Sequence, residues 1–173
     1  MLRRKKLFSR PRKTWQLARI KEEGQLVKEY GLKNMTEVWR AAELLRRWRE
    51  LAKQIVSFTG EKKDKEIKIL LGKLQKYAII GADADIDDVL ALELRNLLEK
   101  RLQTVIYKKG MSLTPKQARQ FIVHNKVMVN SKKVSSPSYL TKANDEIKFV
   151  PGFAPQLVVA KPVQKAEEEK QDG

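Results

Sequence analysis

Between Val38 and Val56 the apolar side chains return every three or four residues, at Val38, Ala41, Ala42, Leu45, Trp48, Ala52, Ile55 and Val56. An α-helix gathers such positions onto one stripe, and the cations Arg40, Arg46, Arg47, Arg49 and Lys53 then fall on the opposite side. Asn34 stands where a cap is needed, with Glu37 three residues on in capping-box position, and Gly60 closes the segment. The neighbouring stretches read the same way. One helix is expected from Thr14, with Trp15, Ala18, Leu26 and Tyr30 near one side and Gly31 as its stop. Another is expected over about 62–80, with Ile67, Leu70, Leu71, Leu74 and Ala78 inward and Gly81 as its stop. Antiparallel helices joined by such short connections form a bundle.

Further along, a helical pattern runs from Asp87 through Leu90, Leu94, Leu97, Leu98, Leu102, Val105 and Ile106 to Gly110. Thr114-Pro115 reads as an N-cap followed by proline at the first helical position, opening a short helix to about Asn125 with Ala118, Phe121 and Ile122 inward. The apolar period then changes from helical to alternating. Val127-Met128-Val129, a turn at Asn130-Ser131 and Lys132-Lys133-Val134 predict a hairpin, and residues 146–150 a third strand. The expected fold is α+β and mainly helical, an N-terminal helical bundle followed by a small α+β module of two helices and short antiparallel strands. The expected divisions are a basic arm at 1–13, a helical domain at 14–98, the module at 99–150 and an extension at 151–173 with three prolines, partly packed near Leu157 to Val159 and disordered at its end.

Charge divides the chain differently from hydrophobicity. Of the 173 residues, 37 are Lys or Arg and 21 Asp or Glu, a formal charge of +16. Residues 1–21 hold nine basic groups and no acid; residues 99–150 hold eleven basic groups against three acids. The intervening residues 22–98 are neutral overall. Cations gathered into two segments repel one another, and a polyanion relieves that repulsion by releasing counterions. The arm, with Arg3, Arg4, Lys5, Lys6, Arg10, Arg12 and Lys13, is too charged to pack alone and is expected to order on its partner.

Catalytic and metal chemistries find little footing. The chain has no cysteine and a single histidine, which excludes a disulfide framework, a thiolate zinc site and a multi-histidine metal centre. Glycines are not clustered as a phosphate-cradling loop needs, and no nucleophile elbow is present. Asp83, Asp85 and Asp87 alternate like the start of a calcium loop, but the glycine and bidentate glutamate that loop requires are here Asp88 and Leu94. Asp85 or Asp87 is better read as a helix cap. No metal or cofactor is expected. The longest uncharged run, 149–160, is too short to cross a bilayer and contains two prolines, and the basic start lacks the apolar core of a signal peptide. The chain therefore reads as soluble and intracellular, with no membrane partner.

The richest patch lies at 101–133. On the helix after Thr114, Lys116, Arg119, Gln120 and His124 share one face and are expected to point outward, opposite Ala118, Phe121 and Ile122. Lys108, Lys109, Lys132 and Lys133 extend the same positive surface. A small α+β module of this kind suits structured RNA, recognised by shape, phosphate spacing and 2′-hydroxyls. Duplex DNA is the competing partner. The tryptophans divide between packing and base stacking: Trp48 falls on the apolar stripe, while Trp15 lies beside the basic arm.

The runs 101–110, Thr114 to His124, Val127 to Asn130 and Ser136-Pro137-Ser138-Tyr139-Leu140 together resemble the RNA-binding domain named after ribosomal protein S-four. Lys28-Glu29-Tyr30-Gly31-Leu32 and the helix from Trp39 to Arg46 are similar to the archaeal and eukaryotic type of that small-subunit family, so the likeness covers roughly 10–150. The resemblance implies a primary binder of small-subunit ribosomal RNA, without catalytic activity, located in the cytoplasm within the ribosome and not homo-oligomeric. It implies docking on a multi-helix junction in the 5′ domain, nucleation of assembly, and a place near the decoding-fidelity region where mRNA enters. It also implies neighbours of the S-five and S-twelve types. RNA contacts carry over to Arg101, Tyr107, Lys108, Lys109, Thr114, Lys116, Gln117, Arg119, Gln120, His124, Asn130, Lys132 and Lys133.

Three positions depart from the family pattern. Gln103 stands where many members have Asp, which removes a local cap. Ser131 stands where many have Gly, so the hairpin is expected to be strained or of another turn type. The cysteine cluster of bacterial relatives is absent, leaving the arm to be ordered by RNA. Two other readings share the patch: an RNA-modifying enzyme that borrows the domain, for which residues 1–98 offer no active-site signature, and a stand-alone chaperone-like RNA binder.

Overall fold

The computed structural model describes residues 7–81, 83–153 and 155. Seven helices and three strands follow in order among them: α1 (Leu17–Glu29), α2 (Met35–Val56), α3 (Glu61–Lys76), α4 (Ile86–Ala91), α5 (Leu94–Glu99), α6 (Leu102–Lys108), α7 (Pro115–Val123), β1 (Val127–Val129), β2 (Lys132–Lys133) and β3 (Ile147–Phe149).

The stripe on α2 organises the first part of the chain. Its C-terminal half buries Leu45, Ala52 and Ile55 against Leu70 and Leu74 of α3 and Val89 of α4. Its N-terminal half buries Val38 and Ala41 against Tyr30, Leu32, Leu97 and Leu98. Trp48 packs against both clusters, as its place on the stripe predicts. Ala42 and Val56 lie at the margins of the stripe and are exposed. A third core draws only on residues from Leu102 onward: Leu102 and Ile106 of α6, Ala118 and Ile122 of α7, and Val127, Val129 and Ile147 from the sheet. Beyond it, Phe153 sits edge-on to Phe121 and Phe149, with ring centroids 5.4 and 5.5 Å away. The expected packing at Leu157 to Val159 lies outside the described residues.

Several boundaries differ from expectation. The helix foreseen from Asp87 to Gly110 is three helices, because the backbone is extended at Leu92, Glu93 and Arg101. The carbonyl of Leu92, released from a helix, accepts the Arg49 guanidinium. Arg101 pairs instead as an antiparallel bridge with Leu140. There Leu102 N–H donates to Tyr139 O at 2.7 Å and Thr141 N–H to Lys100 O at 3.0 Å. The apolar period runs through these breaks because each piece faces a different core. Helix α3 stops four residues early, with Ala78 in the left-handed region (φ 50°) and Ile79 N–H turned back to Leu74 O. Helix α1 begins after Trp15, which lies outside it and is 90% exposed, and Ala18 is exposed as well. Asp85 caps α4 as foreseen, its N–H donating to Asp88 Oδ2 at 2.9 Å. The carboxylates belong to a helix start; among the described residues no group of three His, Cys, Asp or Glu could hold a metal ion. No helix among them is long and apolar enough to cross a membrane.

The sheet has the order β2-β1-β3, antiparallel throughout, with Val129 opposite Lys132 on one side and Ile147 on the other. Asn130 and Ser131 both have positive φ, 48° and 67°, as a type I′ turn requires. The hairpin therefore adopts the left-handed turn that Asn-Gly favours despite serine at its second position. Asn130 is suited to it: its Nδ2 donates to Asp145 Oδ1 at 2.7 Å and its Oδ1 accepts Glu146 N–H at 2.9 Å. Ser131 has no such compensation among the described residues, and left-handed backbone costs a residue bearing Cβ roughly 1 kcal/mol or more. Ser131→Gly is expected to raise stability by about 0.5–1 kcal/mol in urea unfolding; an unchanged or lowered midpoint would show that the turn is not strained.

Candidate nucleic-acid interface

The basic module is fixed to the bundle before it offers anything to a ligand. Glu37, foreseen as the far half of a capping box, does not return to Asn34, which makes no side-chain cap of α2. Its carboxylate crosses to two arginines: Arg101 Nη2 donates to Oε2 at 2.5 Å and Arg119 Nη2 to Oε1 at 2.7 Å. The Arg101 side chain is 7% exposed and that of Glu37 14%. Burial is the largest single influence on Glu37 and opposes its charge. Hydrogen bonds and charge from Arg119 and Arg101 together outweigh it, so the carboxyl lies below its ordinary value. Burial also pulls Arg101 down from its usual range, with Glu37 opposing the shift.

Gln103 completes the joint. It is fully buried, and its Nε2 donates to the carbonyls of Tyr30 (3.2 Å), Gly31 (2.9 Å) and Pro115 (2.9 Å), while its Oε1 faces Arg119 at 3.4 Å. The departure at this position thus replaces a local cap with a bridge between the end of α1 and the start of α7. Gly31 is needed there twice over. Its φ is +59°, and a Cβ on it would stand 2.7 Å from Pro115 Cβ.

This geometry corrects one expectation: Arg119 turns toward Glu37 and does not point freely outward with Lys116. Arg101, carried over as an RNA contact, is buried in the same ion-pair cluster. Thr114 and Gln117 are engaged in starting α7: Thr114 Oγ1 accepts Gln117 N–H at 3.2 Å, and Gln117 Oε1 accepts Leu113 N–H at 2.7 Å. Asn130 is occupied by the turn. Asp145, which it holds, sits below its ordinary value: burial pushes it up most strongly, but the Lys142 N–H, Asn130 and Tyr139 prevail.

The other expected contacts face water. Tyr107, Lys108, Lys109, Lys116, Gln120, His124, Lys132 and Lys133 are exposed. Lys108 pairs with Glu99 at 3.0 Å, an exposed contact worth at most about 1 kcal/mol that a phosphate can displace. Lys109, Lys116, Lys132 and Lys133 form no ion pair among the described residues. In the arm, Arg10, Arg12 and Lys13 are exposed, while Phe8 rests on Trp39 with centroids 5.9 Å apart and the Arg40 guanidinium lies over the Phe8 ring, 5.8 Å from its centroid. The described part of the arm is thus anchored to α2 in the free protein. Arg3, Arg4, Lys5 and Lys6 lie outside the described residues.

Residues 100–147, the span from the Arg101 bridge to β3, match the S4 domain family model. Small ribosomal subunit protein uS4 of Nanoarchaeum equitans is 41% identical over 99% of this chain and 97% of its own length. The chain belongs to the uS4 family. The uS4 protein of Methanococcus aeolicus is 44% identical over 84% of both chains, and that of Methanothermobacter thermautotrophicus 37% identical over 95% of both. The uS4 likeness thus spans bundle and module alike.

Removing one member of a buried ion pair strands the other. Glu37→Ala is expected to cost about 3–5 kcal/mol in urea unfolding, since Arg101 pairs with no other carboxylate among the described residues. Because the carboxyl lies below its ordinary value in the folded chain, its contribution is complete above the unfolded value of about 4.3 and fades as pH falls through the folded value. Glu37→Gln is therefore expected to flatten the acid limb of stability against pH. An unchanged limb would mean that the cluster is not what acid dissolves.

Proposed function

We propose that this uS4-family chain is a structural, non-catalytic constituent of the small ribosomal subunit that binds its RNA through the module and the arm. The carrying observation is the set of exposed lysines at Lys109, Lys116, Lys132 and Lys133, which form no ion pair among the described residues, mounted at the end of α6, on α7 and on the hairpin, with Arg10, Arg12 and Lys13 on the arm. Cations presented by a rigid platform fix phosphates at set spacings, which is how structured RNA is distinguished from a generic polyanion. Tyr107, Gln120 and His124 add exposed donors and a ring beside them.

On the finer reading, the chain is a primary binder that docks on a junction in the 5′ domain, nucleates assembly, and contributes to accuracy near where mRNA enters, beside S5- and S12-type neighbours, in the cytoplasm. The similarity to uS4 proteins and the two separate basic surfaces support it: a junction presents phosphates from more than one helix, and a platform with an arm can span them. The roles of Arg101, Arg119 and Asn130 are then to hold the platform in shape, with Thr114 and Gln117 setting the start of α7.

Lys116→Ala combined with Lys132→Ala and Lys133→Ala is expected to leave the circular dichroism spectrum unchanged and weaken binding to a 5′-domain transcript. The plot of log affinity against log salt should flatten by roughly two to three units, since each lost phosphate contact removes about 0.7–0.9. An unaltered slope would place the interface elsewhere, and equal affinity for duplex DNA would remove the case for ribosomal RNA.

A further inference from the structure

We propose that Trp15 is a nucleobase-stacking residue, held beside the basic arm to receive an unpaired base of the bound RNA; this rests on the function proposed above. Trp15 is 90% exposed, more than any other large apolar residue described as exposed. Indole is among the largest apolar surfaces a chain can bury, and leaving it in water gains the fold nothing. The other two tryptophans are half-buried, and Trp39 satisfies its indole N–H on Glu23 at 3.1 Å.

The ring is not exposed because its segment is loose. Arg19 Nη2 donates to the carbonyls of Lys13 at 3.0 Å and Thr14 at 2.8 Å, the two peptide units just before Trp15. Arg19 Nη1 meanwhile grips both carboxylate oxygens of Glu23 at 3.0 and 3.1 Å, and Glu23 is the acceptor for Trp39 on α2. One guanidinium thereby ties the turn carrying Trp15 to α1, and through Glu23 to α2. Arg19 is a positioning residue for the ring.

Charge selects the class of occupant. Residues 1–21 contain no carboxylate, and Arg10, Arg12 and Lys13, which precede Trp15 in the chain, are exposed. An apolar protein partner would require the ring and not the cations. A nucleotide requires both, an aromatic face for its base and positive charge for the phosphates on either side.

The test uses the full chain and a 5′-domain transcript of small-subunit ribosomal RNA, titrated over a series of KCl concentrations. Trp15→Ala is expected to lose about 5- to 100-fold in affinity with the salt slope unchanged, since stacking releases no counterions. Trp15→Phe should recover most of the loss, and both variants should melt with the wild type. Lys13→Ala should instead flatten the slope by about one unit. Arg19→Lys keeps a cation for Glu23 but not both carbonyl bonds; it should weaken binding only when Trp15 is present. An equal loss in the Trp15→Ala background would overturn the positioning role. Wild-type binding with no effect of Trp15→Ala would overturn the stacking proposal alone, as would a defect confined to association with another ribosomal protein. Failure of the wild type to bind the transcript would overturn both this and the proposed function.

Discussion

A carboxylate shared by two arginines sets the relation between the halves of this molecule. Glu37 belongs to the first turn of α2, while Arg101 and Arg119 belong to the basic module. Desolvating three charges together is unfavourable unless each finds its partner, so the cluster admits few geometries. Gln103 narrows them further by satisfying carbonyls from both sides of the same seam. Apolar contacts are permissive about angle; this polar seam is not. The exposed lysines of the module consequently keep a fixed relation to the bundle, which a ligand with phosphates at fixed spacings can recognise.

Much of the bundle was legible because its helices are amphipathic and their stripes run uninterrupted. The start of α7 was legible for a different reason: Thr114-Pro115 is a local chemical signal that needs no tertiary partner. What stayed hidden depends on distant partners. Nothing near Glu37 in sequence marks it as the mate of residues 64 and 82 positions away, and its local role as a capping-box member was equally plausible chemistry. The breaks at Leu92 and Arg101 were hidden because the apolar period continues through them, although the pieces pack on different cores.

The candidate interface shows the same division. Lysines foreseen as solvent-facing do face solvent, because a lone flexible cation has no reason to bury. Arg119 on the same helix face as Lys116 did not follow, since a guanidinium can bridge a carboxylate and remain half-covered. Helical geometry alone placed Arg119 beside Lys116; only the presence of Glu37 across the seam separates their roles. Charged residues on one face of a helix therefore divide into those left open to water and those that brace, and the distinction lies in what stands opposite.

The short sheet has one more consequence. Both of its outer strands, β2 and β3, are only two or three residues long, and each carries lysine. Unpaired strand edges are templates for another copy of the chain, and like charges on abbreviated edges repel such a guest. With Lys148 paired to Glu146 at 2.6 Å, the repulsion on these edges comes chiefly from Lys132 and Lys133 of β2, which disfavour a second copy's strand alongside them.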